Sequence, residues 1–142
     1  MKQQVSVITL PVKDLAVTRR FYCDGLGWQA VFSNDEVIFI QLNGLVMSFF
    51  HRDAYEQDAG VRYQPGGHTC VLSHNVASPA GVDAVYAEAL AAGAQPLKPP
   101  AATPWGGYGG HFRDPDEHVW EIAHNPAWPI SPEGYVRCIA PE

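Results

Sequence analysis

From Val5 to Leu10 apolar residues alternate with small polar ones, the period-two pattern of a strand with one buried face. Asp14 follows as a helix N-cap, Val17 and Phe21 stand four apart on one helical face, and Gly25 is a stop signal, so the pattern predicts a helix from Asp14 to about Tyr22 or Cys23. Three short apolar segments come next, WQAVF (28–32), VIFIQL (37–42) and LVMSFF (45–50). The turn signals Asn34-Asp35 and Asn43-Gly44 separate them, and Asn-Gly between apolar runs marks a hairpin.

The same order then recurs. His68 to Ser73 reads as a strand, and Ser78-Pro79 as a helix start with serine at the N-cap and proline at the first helical position. Val82, Val85, Tyr86, Ala89 and Leu90 fall at the spacing of one buried helical face, and Gly93 ends the helix. Gln95 to Lys98, Tyr108 to Arg113 and His118 to Ala123 supply three more strands. GWQ (27–29) echoes GAQ (93–95), and GLVMSFFH (44–51) echoes EHVWEIAH (117–124). The shared order predicts a duplicated strand-helix-three-strand unit. Residues 52–67 are polar, end in Pro-Gly-Gly and read as a linker with one helical turn; a lid is the other reading. His51 and His124 follow their strands and read as solvent-facing, and His74-Asn75 reads as the opening of the crossing to the second helix.

At 142 residues, nearly half of them apolar, the chain fits one domain with its own core. A net charge of −6 argues against a nucleic-acid or anionic-membrane surface. No apolar run reaches the roughly 18 residues of a membrane helix. Cys23, Cys70 and Cys138 make an odd count without close spacing, which reads as reduced thiols in a cytoplasm.

Three stretches carry a family resemblance: LPVKDLAVTRRFYCDGLGW (10–28), LNGLVMSFFHRDA (42–54) and WGGYGGHFRDPDEHVWEIAHNP (105–126). With them the chain resembles the glyoxalase/bleomycin-resistance/extradiol-dioxygenase superfamily, the vicinal oxygen chelate proteins. The resemblance implies an α+β fold of two βαβββ modules, about 5–51 and 68–124, each an open half-barrel. They form one domain over 1–130, with 131–142 as a C-terminal tail. It also implies a ligand on the concave face and a homodimer. The superfamily holds lyases, isomerases, dioxygenases and pure binders, so fold does not fix function.

Metal-dependent relatives place one ligand on the first strand of each module and a glutamate on the last. Carried over residue by residue, those positions are Val7, Ser48, His68 and Glu121. Valine cannot bind metal and serine is a poor ligand, so two of the four typical ligands, His68 and Glu121, remain, fewer than the three protein ligands a catalytic site normally has; His111, His118 or His124 could substitute, but nothing in their spacing shows that they converge. The resemblance therefore favours a binder of a small organic molecule without a metal cofactor, of a sequestering or resistance type. The alternative is a lyase, isomerase or dioxygenase using zinc, nickel, manganese or iron. In both, Glu121 is the candidate catalytic or ligand-contacting carboxylate.

Strand alternation puts Phe50 on the same face as Ser48 and Glu121, and sends Met47, Phe49 and Trp120 to the helix side. Trp105 and Tyr108, flanked by glycines, read as pocket-rim aromatics. Phe50, Ser48, Trp105, Tyr108 and His68 are thus the candidate ligand-binding residues. Asp114-Pro115-Asp116 reads as a type I turn. Relatives generally have glycine where Glu117 stands, so glutamate there is strained if its φ is positive.

Overall fold

The computed structural model describes residues 1, 3, 5–65 and 70–138. The chain divides into two compact units, Met1–Gly67 and His68–Glu142, each built on one four-stranded mixed sheet with helices. Neither sheet closes into a barrel.

In the first unit β1 (Val7–Val12) leads to α1 (Leu15–Arg19), then to β2 (Ala30–Ser33), β3 (Val37–Gln41) and β4 (Val46–His51). The sheet order is β1-β4-β3-β2, with β1 parallel to β4 and the other pairs antiparallel. Asp14 caps α1 as expected, its carboxylate accepting from the Ala16 amide at 2.8 Å. The helix does not run on in α form. Arg20–Gly25 winds as a π-helical turn, which carries both Phe21 and Tyr22 into the core at 1% exposure. Tyr22 lies against Phe49 of β4 with ring centroids 4.2 Å apart. Fully burying an aromatic side chain of this kind is worth about 1.5–3 kcal/mol.

The register of this sheet sorts its residues by face. Leu10, Phe49 and Ile38 stand level, as do Ile8, Met47 and Ile40, and most of these are buried under α1 and its π turn. Thr9, Ser48 and Phe39 stand level on the opposite face, followed by Pro11, Phe50 and Val37. The expected sorting of Met47 and Phe49 to the helix side, and of Ser48 and Phe50 away from it, matches this register.

Residues 52–60 differ from expectation. Arg52–Ala59 forms α2, two turns rather than one, ended by Gly60 at φ 67. None of its side chains is buried, so the sequence lacks the apolar stripe by which a helix is usually read.

The second unit repeats the plan: β5 (Val71–Asn75), α3 (Pro79–Ala92), β6 (Gln95–Ala102), β7 (Tyr108–Arg113) and β8 (Val119–His124), in the order β5-β8-β7-β6. Ser78 caps α3 through the Gly81 amide at 3.1 Å, Pro79 opens the helix, and Gly93 ends it at φ 110. Val82, Tyr86 and Ala89 are buried, and Tyr86 meets Phe112 edge-on. His74-Asn75 belongs to β5 rather than to the crossing, because the parallel pairing with β8 extends through Asn75 opposite Ala123.

The Asp114 turn closes as predicted. The Glu117 amide donates to the Asp114 carbonyl at 3.0 Å, while Asp114 Oδ1 accepts from the amides of Asp116 and His118 at 2.9 and 2.8 Å. Glu117 has φ 72, the one positive value among the described non-glycine residues.

Candidate functional site

The face of the second sheet away from α3 carries a polar row. Ser73 on β5, Glu121 on β8 and His111 on β7 stand level across three adjacent strands. The Ser73 hydroxyl donates to Glu121 Oε2 at 2.6 Å, and His111 Nε2 lies 3.6 Å from Glu121 Oε1. Both oxygens of the carboxylate are therefore faced by polar groups, which offsets the cost of removing it partly from water. The Glu121 and His111 side chains keep 26% and 32% of their surface exposed, so the row remains open to a ligand.

Sequence reasoning assigned Glu121 to this face, offered His111 only as one of three histidines that could substitute as a metal ligand, and did not name Ser73. The signal for His111 is strand parity, since His111 pairs with Glu121 in the hairpin. Ser73 required the parallel β5–β8 register, which is a long-range relationship with no local signature. His68 lies outside the described residues.

The other candidates divide. Ser48 is the counterpart of Glu121 in the first unit, at 3% exposure, level with Thr9 and Phe39. Thr9, Ser48 and Phe39 thus hold the positions that Ser73, Glu121 and His111 hold in the second unit. Val7 lies one step along the same face, opposite Val46, and is 49% exposed. Phe50 is half-buried on the Ser48 face.

Tyr108 stands elsewhere than expected. It alternates with Gly109 to the α3 side of the sheet, and its hydroxyl donates to Asp83 Oδ1 of α3 at 2.9 Å. That hydrogen bond raises the phenol above its usual range, with burial adding to it. Tyr108 therefore faces away from Glu121. The glycines beside it had suggested a rim, but in a strand the face is set by parity, not by flanking residues.

Trp105 is 53% exposed in the β6–β7 connection, and its indole lies across Gly107. A Cβ on Gly107 would stand 1.8 Å from the ring, so only glycine permits this placement.

The metal site implied by the resemblance can be weighed on its donors. Glu121 Oε2 accepts from Ser73, Val7 has no donor atom, and Ser48 offers only a buried hydroxyl. Among the described residues no group of three or more His, Cys, Asp or Glu side chains is placed to hold a metal ion. The described residues do not make up the donor set of such a site.

Comparison with known proteins agrees with this architecture. The chain is 43% identical to a glyoxalase-related enzyme from Fulvimarina pelagi, covering 98% of this chain and 100% of that one with a TM-score of 0.93. A glyoxalase/bleomycin resistance protein/dioxygenase from Nocardioides shares the fold at 22% identity and TM-score 0.75, covering 87% of this chain and 84% of that one. Lactoylglutathione lyase from Agrobacterium tumefaciens shares it at 20% identity and TM-score 0.69, covering 88% and 96%. No curated protein matches the chain. The family model for the Glyoxalase/Bleomycin resistance protein/Dioxygenase superfamily matches residues 4–122, and the chain, with its two open βαβββ units, belongs to that superfamily.

Proposed function

We propose that the protein binds a small organic molecule on the open face of the second sheet, as a glyoxalase/bleomycin-resistance-type binder that sequesters its ligand or confers resistance to it. The observation that carries this reading is the Ser73–Glu121–His111 row: a carboxylate oriented from both sides and still partly exposed. A preorganised charged acceptor of this kind suits a ligand with at least one hydrogen-bond donor. Trp105 supplies aromatic surface in this reading, and His68 a further polar contact. The two units are read as modules of one glyoxalase-like domain, paired with a second copy as a homodimer. Cys23, Cys70 and Cys138 are free thiols, which supports a reducing compartment such as the cytoplasm.

A second reading, a lyase, isomerase or dioxygenase dependent on a divalent metal, draws on one observation: 43% identity to a protein described as a glyoxalase-related enzyme.

The test is a thermal-shift screen of small molecules followed by calorimetry on the first hit. Glu121→Gln is expected to weaken binding by roughly 1–3 kcal/mol, the scale of a hydrogen bond to a charged group, with the fold intact. An unchanged affinity removes Glu121 from the site and overturns the reading.

A further inference from the structure

The first unit holds a cleft of about 460 Å³ that lies on the α1 side of its sheet, away from the face that carries Ser48. It opens where β1 and β4 end side by side in parallel, with the β2–β3 turn as its far wall and buried Ile38 at its base. Crevices beyond the carboxyl ends of parallel strands are places where α/β proteins commonly take ligands.

Its walls are charged and held in place. Arg19 donates through Nη2 to Ser33 Oγ at 2.7 Å, which fixes the guanidinium at one side while leaving its other N–H groups to be used. Asn34 accepts from the Glu36 and Val37 amides through Oδ1 at 2.9 Å each, so its amide NH₂ is the end left over. Asp35 adds a carboxylate, and Lys13 also lines the cleft.

The duplicated plan supplies a control. His51 ends β4 as His124 ends β8. In the second unit His124 Nδ1 meets the Val76 carbonyl at 3.2 Å, and Val76 lies against the start of α3, 3.3 Å from a Cβ built on Gly81. In the first unit, among the described residues, the His51 ring has Asp53 at 3.9 Å as its partner, and His51 lines the cleft. The two strand-end histidines thus differ in their partners.

We propose that this cleft is a second binding site, for a small carboxylic acid that also carries hydroxyl donors. The carboxylate lies against Arg19, with Asn34 and His51 as further hydrogen-bonding partners, and a hydroxyl donates to Asp35. Lys13 and Arg19 bring two positive charges and Asp14 and Asp35 two negative ones, and the Asp14 carboxylate is already committed to its helix cap. That balance disfavours a bare polyanion and suits a ligand with an acceptor end and a donor end.

Tartrate is the probe, added to isotope-labelled full-length protein and followed by amide chemical shifts. The expected result is a saturable shift of Lys13, Arg19, Asn34, Asp35 and His51, with Ser73, His111 and Glu121 unmoved. Arg19→Gln, at an exposed position, is expected to weaken binding roughly tenfold, the scale of losing one charge-assisted contact. Asp35→Asn is expected to weaken it as well, and acetate, which lacks hydroxyls, to bind more weakly than tartrate. No saturable shift, shifts that survive Arg19→Gln, or shifts centred on Glu121 each overturn the proposal. Tighter binding in Asp35→Asn also overturns it, since it marks a simple anion trap. Shifts centred on Glu121 would count for the Glu121 site, and the other outcomes leave that reading untouched.

Discussion

The Ser73 hydroxyl donates to Glu121 Oε2 across 2.6 Å, on two parallel strands 48 residues apart in sequence. This contact sets the direction of the carboxylate and turns Oε1 toward His111. Ser73→Ala is therefore expected to weaken binding of a Glu121-dependent ligand by roughly 0.5–1.5 kcal/mol, the net worth of a typical hydrogen bond. Calorimetry beside Glu121→Gln measures it, and Ser73→Ala should be the milder of the two.

Protein purified without chelator is expected to carry substoichiometric divalent metal, because the described donors reach only Glu121 and His111 on this face. Elemental analysis gives the ratio. Stoichiometric metal that disappears in His68→Ala would instead favour the metal-dependent reading.

Glu117 holds φ 72 in the turn that Asp114 closes. A left-handed conformation costs a non-glycine residue about 1–2 kcal/mol, and glycine gives back part of that as lost chain entropy. Glu117→Gly should raise stability by about 0.5–1 kcal/mol in urea denaturation, with an unchanged slope.

Phe49 is fully buried and lies against Tyr22, whereas Phe112 meets Tyr86 of α3 at 3% exposure. Phe49→Ala should cost about 3–5 kcal/mol and Phe112→Leu less, since a leucine fills most of the space. For Phe112→Leu the loss should appear in the denaturation midpoint and not in ligand affinity. Loss of affinity without loss of stability would move the site to the α3 side of the sheet.

Gly107 lies beneath the Trp105 indole and 2.6 Å, by its would-be Cβ, from the His124 carbonyl. Gly107→Ala should displace the indole and lower stability. Tryptophan emission reports the first and thermal unfolding the second.

The sequence by itself determined the elements whose causes are local. Asp14, Ser78-Pro79 and Gly93 bound their helices because a cap satisfies backbone groups within three residues of itself. Alternation sorted Ser48 and Phe50 from Met47 and Phe49, because side-chain direction repeats every two residues in any strand. The order of those elements, repeated, predicted the duplicated strand-helix-three-strand unit, and the family resemblance supplied the fold built from it. What only the tertiary structure decided depends on groups distant in the chain. The π turn at Arg20–Gly25 lets both Phe21 and Tyr22 reach the core, a demand of packing that no local pattern states. The α2 helix has no buried face to announce it. Tyr108 read as a rim residue from its glycines, while its strand phase and Asp83 turned it to α3. The polar row itself needed two registers at once: β7 against β8 to bring His111 to Glu121, and β5 against β8 to bring Ser73. A register is fixed by the summed burial of a whole strand, so the neighbours of a single carboxylate emerge only when the sheet is assembled.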